Sequence, residues 1–96
     1  MIGYKLYLKR MKDYFVSEIQ GHRFQFNRVI SSSFDIWYHV VTDVNESQVK
    51  YRMTRGKQDN WKITTLRMSS VIMRCENECG EAIEMNERDA LSRRML

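Results

Sequence analysis

The fold is decided by residues 34–66, which open with the stretch FDIWYHVVTDV at positions 34–44. This stretch is rich in β-branched and aromatic residues, which fit a pleated and half-buried surface and therefore predict a strand. Residues 45–47 supply a turn, because asparagine tolerates a positive φ and the side chains of asparagine and serine hydrogen-bond the local backbone. The chain is therefore expected to reverse into a second strand.

The second strand is predicted over Gln48 to Arg55, where apolar and polar residues alternate. A period of two places Val49, Tyr51 and Met53 on one face of the strand and the intervening polar residues on the other. One face is therefore expected to be buried and the other exposed to solvent. A second turn leads to a third strand over residues 61–66. The three strands predict an antiparallel meander, because short connections join neighbouring strands.

A first hairpin is predicted upstream of this meander. Tyr14 to Ile19 and Arg23 to Ser31 form its strands, with Gly21 at the bend, because glycine takes the positive φ that tight hairpin turns demand. Alternation in the second of these strands places Phe24 and Phe26 on the face that should join the core. The chain is therefore expected to contain four or five antiparallel strands.

One amphipathic helix follows the predicted sheet. Ser69 or Ser70 can cap it by accepting a hydrogen bond from a backbone N–H that would otherwise lack a partner. Gly80 lies inside the helical pattern and costs about 1 kcal/mol relative to alanine, so the helix either runs through it at that cost or kinks or breaks there. The apolar stripe of the helix consists of Ile72, Cys75, Cys79, Ala82 and Ile83, at steps of three and four residues.

The fold class predicted from these elements is α+β: an antiparallel β-meander of four to five strands with one C-terminal helix packed on one face. Residues 1–14 fit either a short N-terminal helix or a short strand. We expect a single domain over residues 1–96, with a flexible extension over residues 1–12 and a frayed tail over residues 88–96, since chain termini are commonly poorly ordered.

Composition and charge narrow the function classes. The chain of 96 residues carries a net charge of +4, and the basic excess lies in residues 1–57, which hold ten Lys and Arg against five Asp and Glu. Such a bias attracts nucleic acid or an acidic protein surface, although it is also what keeps a small protein soluble. No apolar run reaches the length of a signal peptide or a membrane span. We therefore expect a cytoplasmic protein with no membrane partner.

The candidate binding site is an aromatic centre on the sheet face that points away from the helix. If Tyr38 faces the helix, then its neighbours Trp37 and His39 face the other way, as a period of two requires. Adjacent strands should surround these two side chains with basic and amide side chains. The candidate binding residues are therefore Trp37, His39, Lys50, Arg52 and Asn27.

Three roles fit this face. Trp37 can simply lie beneath the aliphatic stems of lysine and arginine side chains, or beneath the N-terminal segment of the chain. Trp and Arg are also typical anchors of protein interfaces, either between two copies of the chain or with another protein. An aromatic platform with a basic rim can stack bases and hold phosphates, although no dense basic run accompanies it here.

No set of residues converges on catalysis or metal binding. Cys75, Cys79, His22 and His39 provide two thiols and two imidazoles, but their spacing is not that of a zinc finger. Asp43 lies four residues from His39 along a strand, about 13 Å away and beyond hydrogen-bond reach. We therefore predict no metal, no cofactor and no enzymatic activity, with reduced cysteines packed in the core.

The function predicted from these patterns is that of a small noncatalytic binding domain. It is expected to form a homodimer through the sheet face around Trp37 and His39. The alternative is a weak nucleic-acid-binding module that uses the same basic and aromatic face. A further alternative is an accessory protein that pairs with a partner through an exposed edge strand.

Overall fold

The structure is a computed structural model that describes the backbone of residues 12–94 and the side chains of residues 12–88. The described residues form an antiparallel sheet in the order β1-β2-β3-β4-β5, followed by two helical segments. Neighbouring strands are consecutive in the chain, so the sheet is a meander and the predicted α+β class is confirmed. The elements are β1 (Tyr14–Ile19), β2 (His22–Ile30), β3 (Ile36–Val44), β4 (Ser47–Arg55), β5 (Trp61–Ile63), α1 (Ser70–Arg74) and α2 (Glu76–Arg94).

Two predicted strand bounds are wrong by more than one residue. β3 begins at Ile36, because the chain turns just before it and Phe34 N donates a hydrogen bond of 2.9 Å to Ser31 O. Phe34, which the predicted strand included, has a φ of 66° and is 84% exposed. β5 ends at Ile63 rather than at Leu66, which is also exposed.

The chain termini are described only in part. The predicted short N-terminal helix and the predicted flexible extension fall on residues that lie, apart from Lys12, outside the described residues. At the other end, α2 continues to Arg94. The backbone is therefore helical through most of the stretch 88–96, for which a frayed tail was predicted.

The core lies between one face of the sheet and the two helices. Phe24 and Phe26 are fully buried, as the alternation in β2 predicts. The apolar stripe of the helical region is also confirmed, with Ala82 at the margin of the core and its other members buried. We call this side of the sheet the inner face. Its buried side chains are Ile19, Phe24, Phe26, Tyr38, Val40, Tyr51, Met53 and Trp61, and they pack on Ile72, Cys75, Cys79 and Ile83.

The helical region is interrupted at Cys75 and not at Gly80. Ser69 caps α1 by accepting a hydrogen bond from Ile72 N, and α1 ends at Arg74. Gly80 is buried inside α2, where an added Cβ would lie 3.3 Å from both the Cβ and the backbone oxygen of Trp61. Glycine therefore allows α2 to approach β5 closely, and this packing offsets its low helix propensity.

A buried ion pair joins the second half of α2 to the sheet. Arg28 Nε lies 2.7 Å from Glu87 Oε2, and the two side chains are 7% and 10% exposed. Tyr38 also donates its hydroxyl hydrogen to Glu87. Asn86 Nδ2 donates to the Tyr38 oxygen at 2.9 Å and to the Lys12 carbonyl at 2.8 Å. The cluster therefore ties β2, β3 and the chain before β1 to a single turn of α2.

The ionisation of Glu87 depends on these partners. Burial by itself would raise the pKa of Glu87, but the hydrogen bonds from Arg28 and Tyr38 outweigh burial and hold this pKa below its usual value. The same hydrogen bond raises the pKa of Arg28. Burial and the bond to Glu87 raise the pKa of Tyr38. The pair is therefore charged at neutral pH, and the phenol beside it is neutral.

We predict that Gly80→Val lowers the free energy of unfolding by about 2 kcal/mol, because overpacking a close contact typically costs 1–3 kcal/mol. Urea denaturation followed by circular dichroism measures the change. Glu81→Val is the matched control, because Glu81 is exposed on the same turn and takes the same side chain without meeting Trp61. Helix propensity alone would stabilise Gly80→Val, because valine is a better helix former than glycine, so a gain in stability would show that the contact with β5 does not determine the residue at Gly80.

A second prediction concerns how the free energy of unfolding depends on pH. A carboxylate with a lowered pKa in the folded state contributes stability above its unfolded pKa, and this contribution is lost as the pH falls below about 4. Glu87→Gln should therefore cost about 3 kcal/mol at pH 7, because it leaves Arg28 buried without a counter-charge. It should also flatten the decline in stability between pH 5 and pH 3. Glu81→Gln, on the exposed side of α2, should preserve the wild-type pH dependence.

Candidate functional site

The candidate site lies on the sheet face that points away from α1 and α2, which we call the outer face. Because side chains alternate along each strand, every residue between two core positions points to this face. No helix of residues 12–94 packs on it. Its side chains are Tyr14, Val16, Glu18, Arg23, Gln25, Asn27, Val29, Trp37, His39, Val41, Asp43, Gln48, Lys50, Arg52, Thr54 and Lys62.

The structure brings all of the candidate residues predicted from the sequence to this face. Asn27, His39 and Arg52 are direct cross-strand partners and form one row over β2, β3 and β4. Trp37 precedes His39 by two residues on β3, and Lys50 precedes Arg52 by two residues on β4. The antiparallel register therefore places Trp37 on one side of the row and Lys50 on the other.

Trp37 and Arg52 form the centre of the outer face. The guanidinium carbon of Arg52 lies 3.9 Å from the centroid of the Trp37 ring, which is a cation–π contact. Trp37 is half-buried and Arg52 is exposed. The Trp37 ring therefore lies beneath a basic side chain.

The basic side chains of the outer face lie on three strands: Arg23 on β2, Lys50 and Arg52 on β4, and Lys62 on β5. Lys62 lies 3.6 Å from Glu76, and Arg55 lies 3.1 Å from Glu84, so their charges are compensated. Lys50 and Arg52, by contrast, form no ion pair with any residue in the part of the chain that the structure describes. Two adjacent cations without an ion-pair partner therefore lie on the exposed side of the sheet.

A shallow cavity of about 450 Å³ lies beside these cations. Its lining residues are His39, Lys50, Tyr51, Arg52, Thr64 and Thr65, and none of them is a carboxylate. The two threonines lie in the segment just after β5, where Thr64 N donates a hydrogen bond to Arg52 O at 2.9 Å. The sequence did not indicate Thr64 and Thr65 as site residues, because their position depends on where β5 ends.

The outer face also carries apolar side chains that were not among the candidate binding residues. Val29 is the cross-strand partner of Trp37, and Val41 that of Lys50. Val16 and Tyr14 extend the apolar surface onto β1, where both are exposed. The alternation of apolar and polar residues along the strands predicts that these side chains point to the outer face, since each lies between two core positions. Trp37 therefore has one aliphatic cross-strand neighbour, Val29, and further apolar side chains lie elsewhere on the same face.

A second cavity, of about 500 Å³, opens at the end of the sheet near Phe34. Trp37, Trp61 and Arg55 line it, and Glu87 forms part of its wall. The carboxylate of Glu87 is already bonded to Arg28 and Tyr38, and Trp61 Nε1 donates to Glu84 at 3.0 Å. The polar groups here are therefore engaged in holding α2 on the sheet.

The two thiols are far from the outer face. Cys75 and Cys79 are free cysteines in the core. Burial raises the pKa of both, and that of Cys79 reaches about 12 even though Tyr51 lies at hydrogen-bond distance. Both thiols are therefore protonated at neutral pH and are poor nucleophiles. His39 points to the opposite side of the sheet, and no group of three or more potential metal ligands occurs among the described residues.

Neither helix of residues 12–94 is long and apolar enough to cross a membrane. No protein-family model matches the chain, and no curated protein or solved structure is significantly similar to it. The functional interpretation therefore depends on the geometry and charge of the outer face.

Proposed function

We propose that the protein is a noncatalytic interaction domain that forms a homodimer through the outer face of its sheet. The observation that carries this proposal is the stack of Arg52 on Trp37 at the centre of that face, with no described helix above it. Large aromatic and arginine side chains near the centre of a surface are the residues that most often dominate binding energy.

The surroundings of Trp37 favour a protein partner. Val29 is half-buried beside it, and Val41 is half-buried farther along β3, and both would lose their remaining exposure under a second sheet. Asn27 and His39 supply hydrogen-bond donors and acceptors in the adjacent row. An apolar centre with polar neighbours is the usual anatomy of a protein interface.

A homodimer is the simplest assembly for such a face. In a two-fold interface the same patch occurs on both copies, so one self-complementary surface is sufficient. The two guanidinium groups of Arg52 each stack on their own Trp37, which spreads their charge over an aromatic ring. We place this dimer in the cytoplasm, where the buried thiols of Cys75 and Cys79 would stay reduced.

Light scattering over a range of concentrations tests the dimer. The wild type should have twice the mass of one chain, and Trp37→Ala should be a folded monomer because the central anchor is lost. Val29→Arg should also be monomeric, since a second copy would have to bury the new charge. Met85→Arg is the matched control, because Met85 is 69% exposed on α2. A wild-type monomer at all concentrations would contradict the proposal.

Nucleic acid is the second candidate partner of the outer face. Lys50 and Arg52 are adjacent cations that form no ion pair with a described carboxylate, and an arginine stacked on tryptophan presents a planar surface to a base.

We predict for this candidate that a labelled single-stranded dT oligonucleotide binds at low salt and is released steeply as salt rises. Fluorescence anisotropy measures the affinity. The double variant Lys50→Glu, Arg52→Glu should abolish binding, whereas Lys57→Glu in the β4–β5 turn should reduce it slightly. Unchanged binding by the double variant would exclude the outer face as a nucleic-acid site.

A further inference from the structure

β5 covers only part of β4. It pairs with Met53, Thr54 and Arg55, so the first half of β4 forms an open edge of the sheet in the described part of the chain. Arg52 marks the boundary between the covered and the open part. Its oxygen accepts a hydrogen bond from Thr64 N at 2.9 Å, and its N–H donates to Thr65 Oγ1 at 2.9 Å.

The direction of these two bonds determines which backbone groups are open. In an antiparallel sheet, the N–H and C=O groups of one residue point to the same neighbouring strand, and those of the next residue point to the other. Lys50 and Gln48 lie two and four residues before Arg52 on the same strand. Their N–H and C=O groups therefore point in the same direction as those of Arg52, away from β3. They have no backbone partner among residues 12–94. Two residues therefore offer two donors and two acceptors to an added strand.

The side chains at this edge favour a negatively charged ligand. Lys50 and Arg52 point to the outer face and form no ion pair with a described residue. The cavity of about 450 Å³ beside them is also lined by His39, Thr64 and Thr65, with no carboxylate among its lining residues. A strand added here would therefore pass directly over two uncompensated cations.

A second copy of β4 does not fit this edge well. Antiparallel pairing of two identical edges centred on the open segment would place Lys50 opposite or diagonal to a lysine or arginine of the other copy. Like charges in such cross-strand positions are destabilising, and lysine on an edge strand is a common device against self-pairing. The charge of the edge thus argues for a partner of opposite sign.

We propose that the β4 edge at Gln48–Arg52 binds an extended acidic peptide segment by strand addition. The peptide backbone pairs with the open groups of Gln48 and Lys50. Its carboxylates lie at alternate positions on the outer face, where they meet Lys50 and Arg52. The intervening residues lie on the inner side beside Val49, which is half-buried. Backbone pairing supplies affinity in this binding mode, and alternate side chains supply specificity.

The probe for this site is the capped peptide acetyl-Thr-Glu-Val-Glu-Val-Glu-Thr-amide with a fluorescent label, measured by anisotropy at low salt. It should bind the wild type, and the same peptide with Lys in place of Glu should not. The double variant Lys50→Glu, Arg52→Glu should bind at least about tenfold more weakly, because attraction becomes repulsion. Lys57→Glu, an exposed charge reversal outside the open edge, should bind like the wild type.

N-methylation of the peptide tests strand addition itself. Alternate amides of a strand point to opposite sides, so methylating one alternate set should abolish binding and methylating the other should preserve it. Charge attraction without backbone pairing would leave both methylated peptides bound, and this result would overturn the proposal. Equal affinity for the wild type and the double variant would also overturn it.

The edge and the proposed dimer face can be tested separately. Val29 lies on β2, two strands away from the open edge. Val29→Arg should therefore retain binding of the acidic peptide, which the double variant loses, whether or not the wild type is a dimer. Association of the wild type that Lys50→Glu abolishes and Val29→Arg preserves would mean that the edge pairs with a second copy, which contradicts an acidic peptide as its occupant.

Discussion

The structure depends on one constraint: a sheet has two faces, and the described helices are sufficient to cover one. Each strand alternates its side chains, so burying Phe24, Phe26 and Tyr38 on the inner face forces Val29, Trp37 and His39 to the outer face. The core is complete with the inner face alone, since its largest side chains are fully buried. The composition of the outer face is therefore free to serve binding.

The position of α2 on the inner face is determined by polar as well as apolar contacts. Apolar packing along Cys75, Cys79 and Ile83 fixes which side of the helix meets the sheet, but such packing tolerates sliding. The charged hydrogen bonds between Glu87 and Arg28 do not, because a displaced helix would leave both charges buried and unpaired. Gly80 completes this arrangement by allowing the backbone of α2 to lie against Trp61.

Much of the fold follows from local sequence patterns. The features that could not be predicted depend on contacts between residues far apart in the chain. The alternation in β4 and the stripe from Ile72 to Ile83 predicted both the sheet and the helix correctly, because each pattern repeats within a few residues. The bond between Arg28 and Glu87 joins residues 59 positions apart, so no local pattern indicates it. The start of β3 was missed because Phe34 is aromatic and yet adopts a left-handed backbone in a turn.

The same distinction applies to the candidate site. Alternation alone was sufficient to group Trp37 with His39, and the hairpin connections added Asn27, Lys50 and Arg52. Their order within the face required the register, which pairs His39 with Arg52. The open edge of β4 could not be predicted, because it exists only where β5 ends at Ile63 instead of continuing to Leu66. Residues 64 and 65 then become lining residues of a cavity and not strand residues.

Arg52 belongs to both proposed surfaces, and this has a thermodynamic consequence. Its guanidinium stacks on Trp37 in the outer face, while its backbone marks the end of the open edge. A carboxylate drawn to Arg52 at the edge would neutralise charge at the centre of the face, where a second copy brings another Arg52. Neutralisation lowers the repulsion between the two copies, so peptide binding and dimer formation should favour each other. By linkage, each would strengthen the other by the same factor.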